Sequence, residues 1–259
     1  MDTRPIGIFD SGVGGTSIWQ EIHALLPYEN TIYLADSLNA PYGIKGKERI
    51  IELSVKNTEF LLKESCKLIV VACNTATTNA IDELRKSYEV PFIGIEPAIK
   101  PAALQSKTGA IGILATKGTL SSALFHKTSN LFASDLTVIE QEGEGIVQLI
   151  ENGKLNSAEM KALLAEYTKP MLEANIDHLV LGCTHYPYLI PQLLDILPRT
   201  VKIIDSGEAV ARQTKAVLTK NQILCDIKRK SDHRFLINKD PDVLKNLLGE
   251  QYNIKYADF

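Results

Sequence analysis

Apolar residues in this chain come in short unbroken runs. Most runs stop at a polar residue and hand over to a stretch of helical period. Residues 5–9 (PIGIF) read as a strand, followed by a glycine-rich turn and a helix over 17–26. Residues 31–35 (TIYLA) predict a second strand, 47–65 a long amphipathic helix and 67–72 (KLIVVA) a third strand. A helix over 77–88 and a strand over 91–95 complete this series. The run KLIVVA shows no alternation, so the strand is expected to be covered on both faces, as in a parallel sheet. Strands alternating with helices predict an α/β fold with doubly wound parallel sheets.

The pattern then restarts. Strands are expected at 109–115, 135–140, 178–182 and 200–204, a turn at 116–119 and a helix over 157–174. A strand at 233–238 and a helix at 241–248 follow. Ile8 corresponds to Ile113, and Cys73 to Cys183, so the repeat has a period near 105–110 residues. We expect two similar α/β units with a site in the cleft between them. The first comprises 1–97 plus about 210–259, the second 98–209. EPAIKPA (96–102) is expected to be their connector.

Composition narrows the class. With 45% hydrophobic and 23% charged residues, a core of native size is available. A net charge of −3 gives no reason to expect nucleic acid. The one dense basic run, DIKRKSDHR (226–234), reads as an exposed connector. No run reaches the roughly 18 apolar residues of a membrane span. The opening MDTRPIGIFD carries no apolar leader, so a cytoplasmic location is expected. The cysteines are Cys66, Cys73, Cys183 and Cys225. None has CxxC spacing, no metal site is expected, and free thiols are the expectation. Cys66 and Cys225 read as small core residues.

Ligands of open α/β sheets bind beyond the carboxyl ends of the strands. Here those ends carry Asp10-Ser11, Asp36-Ser37, Cys73-Asn74-Thr75, Thr116, Cys183-Thr184-His185 and Asp205-Ser206. DSGVGG (10–15) offers backbone N–H groups to an anion at a helix start, although such turns also open helices with no ligand. PYG (41–43) taken alone is a turn. Cys183 and His185, two residues apart, invite a thiol–imidazole pair. Two thiols facing one cleft could form a disulfide, bind a soft metal, or act as acid and base on opposite faces of one carbon. With an ordinary pKa near 8.5, a thiol can exchange its proton at neutral pH when a carboxylate or imidazole assists. Paired half-sites of this kind suit racemisation. No lysine sits in a motif that suggests a Schiff base.

Four motifs in order, GIFDSGVGG, ADSLNAPYG, VVACNTATT and LGCTHYP, closely resemble the glutamate racemases of the cofactor-independent aspartate/glutamate racemase family, from residue 6 to about 210. The resemblance implies interconversion of L- and D-glutamate without a cofactor, supplying D-glutamate to peptidoglycan synthesis. It implies Cys73 and Cys183 as the acid/base thiols, the first serving D-glutamate and the second L-glutamate. It places Asp10 beside Cys73, and Glu151 and His185 beside Cys183. Substrate contacts map to Asp10, Ser11, Pro41, Tyr42, Gly43, Asn74, Thr75, Thr184 and His185. A homodimer is expected, with no membrane or nucleic-acid partner. The sequence departs from the usual family pattern at Ser37, Asn39, Thr77, Thr78 and Tyr188. It also opens at the first strand, so activation by a peptidoglycan precursor, as in members with an N-terminal extension, is not expected. An aspartate or hydantoin racemase, a non-catalytic amino-acid binder and a thiol–disulfide protein are the alternatives.

Overall fold

The computed structural model describes residues 2–259. The chain runs β1 (Ile6–Asp10), α1 (Thr16–Leu25), β2 (Thr31–Ala35), α2 (Lys47–Lys63), β3 (Leu68–Val71), α3 (Asn74–Ser87), β4 (Phe92–Gly94) and α4 (Ile99–Gln105). It continues through β5 (Ala110–Ala115), α5 (Lys117–Leu120), α6 (Ala123–Ala133), β6 (Thr137–Glu142), α7 (Ile146–Glu151), α8 (Ala158–Glu173), β7 (His178–Gly182) and α9 (Ile190–Ile196). Then come β8 (Lys202–Ile204), α10 (Gly207–Lys220), β9 (His233–Ile237), α11 (Asp242–Leu248) and β10 (Asn253–Tyr256).

Two parallel sheets result. One has strand order β10-β9-β2-β1-β3-β4, the other β6-β5-β7-β8. The fold is α/β with doubly wound parallel sheets, as the pattern of runs predicts. The segments β2-β1-β3-β4 and β6-β5-β7-β8 share one topology. Each reverses direction once, between β1 and β3 and between β5 and β7. In open α/β sheets a ligand crevice forms at the carboxyl side of such a reversal. Asp10 and Cys73 stand at the first, Thr116 and Cys183 at the second.

The central strands β1, β2, β3, β5 and β7 are buried at every residue. Helices cover both faces, which is why their apolar runs lack alternation. Against the first sheet, α1 packs on α10 and α2 on α3. The edge strand β6 is mostly half-exposed and lies at Thr137–Glu142, two residues later than expected.

Several elements differ from the sequence reading. The stretch 96–102 is not an irregular connector throughout, because α4 begins at Ile99. The turn at 116–119 becomes the short helix α5. Helix α3 begins at Asn74 rather than 77, because Cys73 takes an extended backbone and its Sγ accepts the Ala76 N–H at 3.4 Å. Helices α6, α7, α9 and α10 and strand β10 have no counterpart in the sequence reading. Residues 226–232 are irregular and mostly exposed.

Cys66 and Cys225 are buried free thiols. Burial, then the Glu64 charge, pushes the Cys66 thiol up to about 12, so it stays protonated and acts as a core residue. The Cys225 N–H donates to Glu29 Oε1, and Glu29 also pairs with Lys67 at 2.7 Å, both side chains being buried. Lys67 Nζ donates further to the Asp2 and Ile223 carbonyls. Such a pair holds its place only because its charges have partners. It fixes the segment leading to β9 against the amino edge of the first sheet.

A histidine pair sits in the aromatic cluster of Trp19, Phe235 and Tyr252. His23 stacks on Trp19 at 5.1 Å between centroids, and His233 meets His23 edge-on at 4.5 Å. Thr31 Oγ1 takes the Trp19 Nε1 proton and lies 2.9 Å from His233 Nδ1, while Ser231 Oγ gives its proton to the Pro27 carbonyl and so accepts from His233 Nε2 at 2.8 Å. Burial, then the neighbouring His23, pushes His233 down to about 4, and burial lowers His23. Both pKa values are depressed on folding, so unfolded chains take up these protons first. The stabilisation is complete above the ordinary imidazole range near 6.5 and is lost as pH falls towards 4. Thermal unfolding followed from pH 7 to 4 is expected to drop more steeply for the wild type than for His23→Phe/His233→Gln. Equal slopes would remove the pair as the source.

Candidate active site

The first sheet contributes its groups from the ends of β1 and β3. Asp10 is fully buried at the end of β1. Its Oδ2 accepts the Gly15 N–H at 2.7 Å, and Thr184 Oγ1 donates to it from the other sheet at 3.4 Å. Ser11 Oγ lies 3.5 Å from Asp10 Oδ1. Cys73 stands at the N-cap of α3, one residue before Asn74 and two before Thr75. The Asn74 side chain is buried with neither Nδ2 nor Oδ1 bonded to protein. Thr75 joins a hydroxyl cluster with Thr116 (2.8 Å) and Thr119 (3.3 Å) across the cleft.

The second sheet contributes the end of β7. His185 Nδ1 lies 3.8 Å from Cys183 Sγ, and its Nε2 lies 2.6 Å from Glu151 Oε1 at the end of α7. The short contact assigns the Nε2 proton to Glu151. The Gly14 N–H, 3.2 Å from the same nitrogen, therefore faces it without a lone pair. Glu151 Oε1 also accepts the Val13 N–H at 2.7 Å, and Oε2 accepts the Ser37 hydroxyl at 2.7 Å. The anion that the DSGVGG turn was expected to attract is thus a carboxylate of the protein itself. Glycine is required at 12 and 14. A Cβ on Gly12 would fall on the Glu151 carboxylate, and one on Gly14 on the His185 ring and 2.6 Å from the His185 backbone nitrogen.

The two thiols have different surroundings. Burial, then the Asp10 charge, raises the Cys73 thiol well above its ordinary value, so it holds its proton at neutral pH. Burial raises the Asp10 carboxyl too, against the pull of His185 and the Gly15 N–H. At His185 burial works against the imidazolium. The Cys183 sulfur and the Glu151 carboxylate outweigh it and hold the ring well above the ordinary imidazole range. One sulfur is a thiol beside a carboxyl, and the other faces an imidazolium.

Of the twelve residues that the family resemblance assigns to the site, ten line one inner cavity: Ser11, Pro41, Tyr42, Gly43, Cys73, Asn74, Thr75, Cys183, Thr184 and His185. Asp10 and Glu151 stand behind it. The Tyr42 hydroxyl is turned away, donating to Asp36 at 2.5 Å and accepting from Asn57 at 3.2 Å. Thr116 and Val147 also line the cavity; the sequence places Thr116 among the strand-end groups without giving it a role and does not point to Val147. The repeat held the signal for Thr116, which follows β5 as Asp10 ends β1. Val147 had none. The inner cavity measures about 10 Å³, room for one water, so its lining must move to admit an amino acid. Beside it opens an outer cleft of about 750 Å³ that shares Pro41, Gly43, Thr116 and Val147.

Among the described residues no group of three or more His, Cys, Asp or Glu side chains is arranged to hold a metal ion. No described helix is long and apolar enough to cross a membrane.

Comparison with known proteins gives consistent matches. The model of the Asp/Glu/hydantoin racemase family matches residues 6–214. A glutamate racemase of Herpetosiphon aurantiacus is 44% identical over 241 residues, covering 93% of this chain and 95% of that protein. The crystal structure of glutamate racemase isoform RacE1 from Bacillus anthracis aligns with a TM-score of 0.89 at 31% identity, covering 100% of this chain and 98% of that one. Escherichia coli glutamate racemase, solved with L-glutamate and the activator UDP-MurNAc-ala, aligns with a TM-score of 0.87 at 33% identity and 98% coverage of both chains.

Proposed function

The chain belongs to the Asp/Glu/hydantoin racemase family, a family of isomerases, and we propose that it interconverts L- and D-glutamate by moving a proton between Cys73 and Cys183. One observation carries the mechanism. Two thiols stand at corresponding strand ends of two sheets of like topology, line one cavity, and each has its own proton-handling neighbour.

Glutamate lies with its α-carbon between the sulfurs. Following the family assignment, Cys183 acts on the L enantiomer and Cys73 on the D. In the L-to-D direction, Cys183 as thiolate, facing the His185 imidazolium, removes the α-proton. The Cys73 thiol then delivers its proton to the opposite face. The carbon inverts, Cys183 ends protonated and Cys73 ends as thiolate beside Asp10. Asp10 on one side and His185–Glu151 on the other return the thiols to their starting states. The reverse direction swaps the roles.

An α-hydrogen is far less acidic than a thiol, so the site must stabilise the carbanion-like state with fixed donors in the absence of bulk water. The unpartnered Asn74 amide and the hydroxyls of Ser11 and Thr75 are placed for this, while Thr184 gives its one proton to Asp10. Helix α3 starts at the cavity, and its fourteen residues carry no acid in the first turn, so its positive end favours the substrate carboxylate. Pro41, Tyr42 and Gly43 contribute wall and backbone.

The substrate assignment rests on the glutamate racemases at 44% identity and on the L-glutamate complex of the Escherichia coli relative. From it follow a role in supplying D-glutamate for peptidoglycan, a cytoplasmic location and a homodimeric state. The division into 1–97 with about 210–259, and 98–209, belongs to the same reading. The test is incubation with L-glutamate in D₂O without added cofactor. Loss of the α-proton signal and decay of optical activity to zero are expected. Turnover of aspartate with a higher kcat/KM than glutamate would reassign the substrate, and no exchange with either would refute the mechanism.

A further inference from the structure

Ser37 has no place in the reaction as described, does not line the inner cavity, and is 2% exposed. Its hydroxyl makes one side-chain hydrogen bond, to Glu151 Oε2 across 114 positions of sequence. Resting on the two-thiol reading, we propose that Ser37 is a positioning residue. Together with the Val13 N–H, it holds Glu151 so that His185 is set for Cys183 only when the two sheets are closed.

Glu151, His185 and Cys183 belong to α7 and the end of β7, beside the second sheet. Glu151 receives three donors, and two of them, Val13 N–H and Ser37 Oγ, come from the ends of β1 and β2 in the first sheet. A buried carboxylate takes its orientation from its donors, and each hydrogen bond to the charged group is of the strong kind. With Oε2 held by Ser37 and Val13 beside Oε1, the carboxylate cannot rotate and Oε1 stays on His185 Nε2. The absence of a Cβ at Gly12 gives Glu151 room to reach these donors.

The cavity must open for substrate to enter. When the sheets part, Val13 and Ser37 move away with the first sheet and Glu151 keeps His185 alone. Closure restores the donors and fixes the imidazole ring against Cys183. The acid/base pair of one sheet is thus completed by donors of the other, and proton abstraction is confined to the closed, water-poor state. A Ser37 serving stability alone would leave His185 unchanged when replaced.

The test compares Ser37→Ala, Ser37→Thr and Ser37→Cys with the wild type. Racemisation is followed in both directions, and ¹⁵N-histidine NMR reads the His185 ring. Ser37→Ala is expected to lower kcat about tenfold, the factor one charge-assisted hydrogen bond carries, with KM within about twofold and an altered His185 resonance. Ser37→Thr keeps the hydroxyl and is expected to stay within about threefold of wild type. A loss there equal to that of Ser37→Ala would overturn the proposal. So would a folded Ser37→Ala with wild-type kcat and an unchanged His185 spectrum. Should the alanine variant not fold, Ser37→Cys, which keeps the volume with a weak donor, decides in the same way. A wild type that does not racemise glutamate refutes the function itself, and the His185 spectrum then still reads the coupling.

Discussion

Replacing either Cys73 or Cys183 by serine lowers kcat by about three orders of magnitude in both directions of racemisation, within the range a positioned acid or base contributes. Both directions suffer because every inversion uses both sulfurs, one to take the proton and one to give it. A serine hydroxyl preserves the shape, but it does not ionise in the neutral range where a thiol does. The variants differ in one respect. With Cys73→Ser the imidazolium-facing Cys183 still removes the proton of one enantiomer and can return it only to the same face. L-glutamate is therefore expected to lose its α-proton to D₂O faster than it racemises, and Cys183→Ser to show the same imbalance with D-glutamate. Turnover near wild type in either variant would take that thiol out of the mechanism.

Gly14→Ala is expected to lower kcat by about a hundredfold and to destabilise the fold by about 1–3 kcal/mol. Its Cβ has no free space. It would overlap the His185 ring and sit 2.6 Å from the His185 backbone nitrogen, which cannot swing aside as a side-chain tip can. The ring must shift, and with it the Nδ1 that faces Cys183. Gly109→Ala is the contrast. Gly109 has φ +73 and nothing within 4 Å of an added Cβ, so that variant carries backbone strain without a clash and should leave kcat unchanged. Kinetics and thermal melts of the two proteins read the difference. A Gly14→Ala protein with normal kcat would mean that the ring position is not critical.

What could be read from the sequence is what local spacing records. Asp10, Cys73 and Cys183 each follow an apolar run and stand where a strand hands over to a turn. Their shared location followed from strand-end logic, and the correspondence of Cys73 with Cys183 followed from the repeat. Glu151 is different. It ends a short helix, α7, that the periodicity did not reveal, and only the family resemblance pointed to it. Its partnership with Ser37 and Val13 spans 114 and 138 positions, and no local pattern records a contact of that range. The glycine turn was left open between an anion cradle and a plain helix start; its Val13 N–H meets a carboxylate, and that carboxylate comes from beside the opposite sheet. The missed helices α6, α9 and α10 cover sheet faces. Their signals are amphipathic stripes without a chemical landmark, weaker than the fully buried runs of the strands.

Asn74 carries one more consequence. Its amide is fixed at the start of α3, buried, with neither donor nor acceptor satisfied by the protein. A buried polar group left in this state costs on the order of 1–3 kcal/mol. The inner cavity that Asn74 lines has room for one water, which holds these positions until an amino acid takes them. Under the proposed function, an amino acid that bonds both positions binds the folded chain and not the unfolded one. Substrate supply then becomes one of the quantities that sets how long the folded chain survives.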